Sequence, residues 1–308
     1  VICAVLIMGA FMTMAVAAWY MHKKDHEKFA LRAMKIGSIV ATISCACMLV
    51  TAHSSAVVVS EEQPTKFAMM EGMYEDEVPP LYAIGWVDEA NEQVIAPFAI
   101  PGGTSFLATG NWDTEYQGLN SLAETEDYSA IDPETMPVNL VFQSYHLMVA
   151  MFGLMALTLL LALIFTFKGG SIKKMRWLQW LIIISPIFAV LAIQSGWATA
   201  EFGRQPWVVY PSVTGPEGVE LLTADGISLA VSGWELIATI VLFVLIYLVL
   251  FIVWARIVAR FIKQGPTQEQ PAPVAASSNS FMSGTPPAKA ADVSSNDETA
   301  PAATKEGE

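Results

Sequence analysis

Two ionisable residues, Glu201 and Arg204, stand three positions apart at the end of a long apolar run that begins near Trp177. A charged side chain in a membrane-spanning segment costs about 2.5–3.5 kcal/mol on insertion scales, so such residues indicate a functional site. Pro206 cannot easily continue a helix, which predicts a helix end near Gly203. The pattern favours either a carboxylate that binds a cofactor or handles protons, with Arg204 facing an anionic group, or a structural ion pair.

The apolar segments carry three further side chains suited to a cofactor site. Trp197 precedes Glu201 by four positions, which places both on one helix face. His146 and Met148 lie two positions apart on an earlier apolar run, so they point about 200° away from each other and cannot bind one metal ion together. A lone thioether in a membrane helix is more often a packing group, and a lone histidine is more often simply hydrogen-bonded. Taken singly, none of the three identifies a site.

The polar segment after the second apolar run holds another pair of charges. Lys66, the only lysine or arginine of this acidic segment, precedes Glu71 by five positions. On a helix these side chains would lie about 140° apart, near enough to line two sides of a pocket. A solvated amphipathic turn is the plainer alternative.

The composition is that of a membrane protein. Of 308 residues, 54% are hydrophobic and 15% are charged, and the mean hydropathy is +0.47. Five apolar runs are long enough to cross about 30 Å of hydrocarbon, at approximately 1–21, 34–52, 140–167, 177–200 and 227–258. We therefore predict an all-α, multi-pass transmembrane helical bundle of about five spans. Because Val1 already lies in an apolar run, we expect the chain to be the carboxy-terminal part of a longer protein.

Clusters of basic residues predict the orientation of these spans. They fall at alternate ends of the spans, and hence on one side of the membrane, near residues 23–35, 168–176 and 256–263. By the positive-inside rule that side is the cytoplasm. The net charge of −13 is concentrated in the long loop and the tail, which argues against a nucleic-acid partner.

The same topology divides the chain into four parts. We predict two helices in 1–52, a large outward-facing loop in 53–139, three helices in 140–262 and a tail in 263–308. The acidic, aromatic-rich loop is too long for a simple connector and is expected to fold on the outer face. The tail is rich in Pro, Ala and Ser, which predicts a disordered cytoplasmic segment.

Three motifs together resemble subunit I of the cytochrome bd-type quinol oxidases. The most specific is Ala-Glu-Phe-Gly-Arg-Gln-Pro-Trp at 200–207. Gln-Pro-x-Lys-x-Ala-x-x-Glu at 63–71 resembles the start of that family's quinol-binding loop, and Phe-x-Ser-x-x-x-Met-Val at 142–149 resembles its methionine-ligand helix. The order, the spacing and the predicted topology agree, and the likeness covers roughly residues 1–262.

The resemblance implies three haems. Met148 would be an axial ligand of a low-spin haem b, whose histidine ligand would lie upstream of the first residue. Glu201 would be an axial ligand to one of two active-site haems, preferably the high-spin haem b, and the other would be haem d or a third haem b. Trp197 would lie on the electron path between haems, and Arg204 and Trp207 would line the haem cluster.

The resemblance also implies a quinol site. Lys66 and Glu71 would form it, with Glu71 as acceptor of a proton when quinol is oxidised. One departure concerns His146, which stands where the family often has an arginine two positions before Met148. A histidine is only partly charged near neutral pH, so the haem potential is expected to shift.

The activity implied is that of an electrogenic quinol:oxygen oxidoreductase in the prokaryotic cytoplasmic membrane. It would oxidise ubiquinol or menaquinol at the outer face, reduce oxygen to water and build a proton gradient. Its partners would be oxidase subunit II and membrane lipid, with a small single-helix subunit as a further candidate. Two alternatives stay open: a transporter or channel subunit that uses Glu201 and Arg204 as a charge pair, although no internal repeat supports it, and a structural subunit without haem.

Overall fold

A computed structural model of the chain describes residues 1–211 and 218–266. In chain order its helices and strands are α1 (Ile2–Lys23), α2 (Glu27–Glu62), α3 (Pro64–Glu71), β1 (Leu81–Asp88), β2 (Gln93–Ile100), α4 (Gly103–Thr109), α5 (Leu119–Ala123), α6 (Val138–Phe167), α7 (Arg176–Phe202), β3 (Trp207–Val209), β4 (Leu221–Leu222) and α8 (Gly233–Gln264). Five of the helices, α1, α2, α6, α7 and α8, are long and apolar enough to cross a membrane. The predicted class, a helical multi-pass membrane protein, is confirmed.

The helices differ from the predicted spans mainly at their ends. α2 has 36 residues, about 54 Å, and continues to Glu62 because hydropathy marks only the part of a helix that matches the bilayer. The predicted boundary at residues 52–53 therefore falls inside α2. α8 begins at Gly233 rather than near Ile227, because Ser232 and Glu235 form a capping box there. α8 also continues to Gln264, past the predicted start of the tail, and the tail beyond residue 266 lies outside the described residues.

Two short hairpins depart from the all-α prediction. β1 pairs with β2, and β3 pairs with β4, both antiparallel. The sequence of β1, Leu-Tyr-Ala-Ile-Gly-Trp-Val-Asp, is rich in the aromatic and branched residues that favour strands. A signal for the first hairpin was thus present in the long loop, next to a turn at residues 89–92.

The membrane helices α1, α2, α6 and α7 share one apolar core, to which Phe11, Met14, Met34 and Met155 contribute buried side chains. α1 lies against both α2 and α7, and α6 lies against α7. Gly37 permits the close approach of α2 to α1, since a Cβ atom there would meet Met14 Cγ at 2.8 Å. By contrast, none of the described side chains of α8 is buried.

The three predicted basic clusters lie at one end of the bundle. Lys173, between α6 and α7, forms an ion pair with Glu27 at the start of α2, with Nζ and Oε2 3.0 Å apart. Tyr20 near the end of α1 donates its hydroxyl to the carbonyl of Ile262 near the end of α8, at 2.6 Å. These contacts agree with the prediction that the clusters share one side.

Residues 63–137, here called the loop unit, fold at the opposite end of the bundle around a second apolar core. The loop unit packs on the first turns of α6, where Phe142 is fully buried. Asn139 Oδ1 accepts a hydrogen bond from Val87 N at 3.1 Å, and Gln143 donates to the carbonyl of Gly85 at 2.8 Å. These contacts attach the β1–β2 hairpin to α6, so the loop unit is folded and packed on the bundle.

Candidate functional site

Glu201 and Arg204 meet at the end of α7 next to the loop unit. α7 ends at Phe202 and is capped by Gly203, as predicted. Arg204 Nη2 donates to Glu201 Oε2 at 2.6 Å, and Arg204 Nη1 donates to the carbonyl of Val208 at 3.1 Å. The two side chains are 40% and 37% exposed, so the ion pair on its own contributes little to folding stability.

Lys66 of α3 is a third charge at this site. Its aliphatic stem lies against Gly203, where a Cβ atom would come within 2.8 Å of Lys66 Cγ. Burial lowers the pKa of Lys66, the Arg204 guanidinium lowers it further, and the Glu201 carboxylate opposes both effects. Glycine at position 203 therefore lets a lysine of the loop unit approach the ion pair of α7.

Tyr210 holds the first turn of α3 in this position. Its hydroxyl lies 2.7 Å from Thr65 Oγ1 and accepts a hydrogen bond from Thr65 N at 3.3 Å. This second bond provides a partner for a backbone N–H group in the first turn of α3, where such groups have no partner within the helix. The Trp207 ring packs on Tyr210 with centroids 5.1 Å apart, and its indole donates to Glu220 at 3.1 Å. Trp207 is fully buried, and its role in lining a haem cluster stays a prediction.

Glu71, at the other end of α3, is a buried carboxyl group. It is 1% exposed, and Thr104 at the start of α4 donates to its Oε2 at 3.2 Å. Burial raises the pKa of Glu71 to about 8, the hydrogen bond from Thr104 acts in the opposite direction, and the Glu77 carboxylate raises it further. Glu71 is therefore mostly protonated at neutral pH and can exchange a proton near pH 8.

Lys66 and Glu71 face different neighbours. Lys66 lies against Gly203, whereas Glu71 lies against Thr104. Within the described part of the chain no hydrogen bond or ion pair joins the two. Their separation of about 140° on a helix puts them on different sides of α3 rather than directly opposite each other.

We predict that Glu71→Gln makes the stability of the protein less dependent on pH. The pKa of Glu71 is raised from 4.5 to about 8 in the folded chain, so the folded state binds this proton more tightly than the unfolded state. The contribution of Glu71 to folding stability is therefore greatest below about pH 4.5 and falls as the pH rises towards 8, by on the order of a few kcal/mol in total. Glutamine does not titrate.

Thermal unfolding of the solubilised protein at pH 5.5 and at pH 8.5 tests this. The melting temperature of Glu71→Gln minus that of the wild type should be larger at pH 8.5 than at pH 5.5. An identical difference at both pH values would contradict a buried carboxyl group that is neutral at low pH.

Met148 lies where α6 meets α7. Its sulfur contacts Gly196, since a Cβ atom on that glycine would come within 2.7 Å of Met148 Sδ. A hydrogen bond of 2.9 Å between the hydroxyls of Ser144 and Thr199 fixes the register of the two helices nearby. Trp197, next to Gly196, is 62% exposed.

The side chain of His146 contacts its own helix, α6. Its Nδ1 lies 2.8 Å from the carbonyl of Phe142, and its ring stacks on the Phe142 ring with centroids 4.0 Å apart. Met148 instead contacts α7, in agreement with the expectation that these two side chains diverge. The effect of His146 on a haem potential stays a prediction.

A bundle of long apolar helices with a folded extramembrane unit and a charge cluster where the two meet defines a multi-pass membrane protein with an interfacial site. The model of the family described as "Cytochrome bd terminal oxidase subunit I" matches residues 1–266. The chain therefore belongs to this family, as the sequence motifs predict.

Individual relatives agree with the family assignment. The chain is 26% identical to cytochrome bd-II ubiquinol oxidase subunit 1 of Escherichia coli (strain K12), over 86% of this chain and 61% of the relative. It is 28% identical to cytochrome bd ubiquinol oxidase subunit 1 of Bacillus subtilis (strain 168), over 91% of this chain and 59% of the relative. The chain thus spans about three fifths of the length of these curated relatives.

A solved structure also shares the fold. The bd oxidase of Geobacillus thermodenitrificans superposes with a TM-score of 0.68 at 26% sequence identity, over 86% of this chain and 56% of the matched chain. The helical bundle with its loop unit is therefore the fold of this family.

The residues at the site suit the haems that the family implies. Met148 offers a thioether sulfur, a ligand type that haem iron accepts, and Glu201 offers a carboxylate, of which Oε2 accepts a hydrogen bond from Arg204. Arg204 Nε is buried and has no hydrogen-bond partner within residues 1–211 and 218–266. An unpaired buried guanidinium nitrogen beside Lys66 suits an anionic group such as a haem propionate.

Proposed function

We propose that this chain is the haem-bearing subunit of a terminal oxidase that oxidises quinol at the outer face of the prokaryotic cytoplasmic membrane and reduces oxygen to water. The observation that carries the proposal is the short helix α3, which presents a buried acid, Glu71, at one end and a lysine in the Glu201–Arg204 cluster near the other. Family membership supports it, and so does the likeness to relatives named as quinol oxidases.

In this proposal the residues of α6 and α7 bind haem. Met148 would hold a low-spin haem b, and Glu201 would hold the high-spin haem b of a centre that also includes haem d or a third haem b. When bound, the haems supply one-electron transfer and oxygen binding. Arg204 and Lys66 would offset the negative charge of the propionates, Trp197 would lie on the electron path between haems, and Trp207 would support the cluster from the core of the loop unit.

Quinol oxidation releases two electrons and two protons, and Glu71 handles protons. Its ionised carboxylate accepts a proton from a quinol hydroxyl, which lowers the barrier to electron loss. Because Glu71 is 1% exposed, quinol can reach its carboxyl only when residues that cover it move. With the basic clusters in the cytoplasm and the loop unit outside, quinol protons leave on the outer side while protons for water come from the inside, which makes turnover electrogenic.

The proposal also names partners. Oxidase subunit II completes the enzyme, and a small single-helix subunit is a further candidate. Membrane lipid surrounds the described apolar side chains of α8, which are exposed in this chain. The substrates are oxygen and either ubiquinol or menaquinol.

Oxygen uptake by the whole enzyme tests the function. The full-length parent protein, co-expressed with subunit II and reconstituted into liposomes, should consume oxygen when ubiquinol or menaquinol analogues are added and should acidify the side on which the loop unit lies. Absence of quinol-driven oxygen uptake in a folded complex would contradict the proposal. A transporter that uses the Glu201–Arg204 ion pair, whose atoms lie 2.6 Å apart, would then be the leading candidate.

A further inference from the structure

The hydroxyl of Thr104 lies between two hydrogen-bond acceptors. Thr104 Oγ1 is 3.2 Å from Glu71 Oε2 and 3.1 Å from the carbonyl oxygen of Pro80. Thr104 is 7% exposed, so water does not supply its partners freely. A hydroxyl group has one proton to donate and two lone pairs, and it can therefore donate to only one of these acceptors at a time.

This arrangement satisfies Glu71 in both of its protonation states. When Glu71 is ionised, Thr104 donates to the carboxylate. When Glu71 is protonated, its hydroxyl donates to Thr104 Oγ1, and Thr104 donates to the carbonyl of Pro80. In both states the Glu71 carboxyl keeps a hydrogen bond to Thr104, whereas a buried carboxyl without a partner would cost about 1–3 kcal/mol.

The second acceptor of Thr104 belongs to a residue at the surface. Pro80 lines an open cleft of about 460 Å³, together with Glu77, Trp112 and Asp113. Asp113 is exposed and Glu77 is half-buried, so the cleft next to this hydrogen-bonded group has carboxylates in its lining. Glu71 itself has almost no exposed surface.

The backbone before α4 places Thr104 here. Gly102 has a φ of 63°, and a Cβ atom on it would come within 2.3 Å of the carbonyl oxygen of Trp112. Only glycine accommodates this turn without strain. The turn brings the first residues of α4 over the end of α3.

We propose that Thr104 is a positioning residue that holds the Glu71 carboxyl in both protonation states, next to the cleft lined by Glu77 and Asp113. The inference rests on the proposed role of Glu71 as the base for quinol. In each cycle the carboxylate gains one proton from quinol and later loses it to water, so that Glu71 is restored. Thr104 exchanges hydrogen bonds but undergoes no net change.

Other groups around Glu71 affect its titration but do not replace Thr104. Glu77 acts on it as a like charge. Tyr82 of β1 and Tyr145 of α6 lie near enough for the Glu71 charge to act on their phenols. Among the described residues, Thr104 is the side chain that donates a hydrogen bond to the Glu71 carboxyl.

Thr104→Val and Thr104→Ser in the whole enzyme test the inference. Valine keeps the shape and removes the hydroxyl, whereas serine keeps the hydroxyl. We expect the acid limb of the pH profile of quinol oxidation to move up by about one pH unit in Thr104→Val, since the ionised Glu71 loses a hydrogen bond. Thr104→Ser should retain the wild-type profile.

Infrared difference spectroscopy over a pH titration gives a second readout that needs no turnover. The carbonyl band of protonated Glu71, assigned by its loss in Glu71→Gln, should shift in frequency and in titration midpoint in Thr104→Val and not in Thr104→Ser. If Thr104→Val fails to assemble, Thr104→Ala serves in its place.

Three results would overturn the inference: a wild-type band and profile in Thr104→Val, a shifted band with an unchanged profile, or equal effects of valine and serine. Failure of the proposed function looks different. In that case the wild-type enzyme itself would not oxidise quinol, whatever Thr104 does to the carbonyl band. If only the role of Glu71 fails, Glu71→Gln would oxidise quinol at the wild-type rate.

Discussion

Replacing Glu71 with glutamine is expected to lower the kcat for quinol oxidation by about a hundredfold or more. Glutamine has nearly the same shape and can still accept a hydrogen bond from Thr104, which lies 3.2 Å from the carboxyl oxygen. It cannot accept a proton, and loss of a positioned base costs about 10²–10⁴ in rate. Steady-state oxygen uptake with quinol as donor measures the effect.

Two controls separate a lost base from a damaged protein. Glu115→Gln, which changes an exposed carboxylate of the same loop unit, should leave the rate unchanged. Glu71→Gln should retain the haem spectrum of the wild type and should still reduce oxygen with an artificial donor that feeds electrons directly to the haems. A quinol oxidation rate within a factor of about two of the wild type would show that another group accepts the proton.

The pH dependence of the wild type adds to this prediction. The pKa of Glu71 is about 8 because the carboxyl is buried. Its ionised form, which is the base, therefore increases as the pH rises towards 8. The proposed activity should rise over the same range.

The sequence predicts the membrane-spanning part of this fold well. Runs of apolar residues mark the five helices because the bilayer requires about 20 of them in a row. The end of α7 at Phe202 is also predictable, since Pro206 is incompatible with a continuing helix. What hydropathy cannot mark is the helical extension of α2 to Glu62, outside the apolar core.

Contacts between distant segments of the site are not predictable from local pattern. The sequence motif groups Lys66 with Glu71, yet in the structure Lys66 lies against Gly203. The reason is the hydrogen bond between Tyr210 and Thr65, which holds α3 beside the end of α7. Thr104 lies outside the three sequence motifs. Its role depends on a turn that brings α4 to the buried end of α3, and only the folded loop unit shows this.

The Glu201–Arg204 pair illustrates the limit of reasoning from residue type. A structural ion pair requires a carboxylate and a guanidinium, and so does a haem-ligand carboxylate with a counter-charge beside it. The 2.6 Å contact between Arg204 and Glu201 fits either role. The approach of Lys66 and the unpaired Arg204 Nε favour a site that receives an anionic group. Two cations beside one carboxylate leave an excess of positive charge there.

Met148→Leu tests the central claim that this subunit binds haem. Leucine matches methionine in size but has no sulfur to bind iron, so the variant should lose an axial ligand with little change in packing. Met155→Leu is the matched control, because Met155 lies two turns further along α6 and is 3% exposed in the bundle core.

The decisive measurement is the reduced-minus-oxidised optical spectrum of the full-length enzyme with its partner subunit, for the wild type, Met148→Leu and Met155→Leu. We predict that the low-spin haem b band disappears in Met148→Leu and persists in Met155→Leu. A haem-free wild type, or a low-spin band that is unchanged in Met148→Leu, would contradict the assignment of Met148 as a haem ligand and with it the proposed redox function.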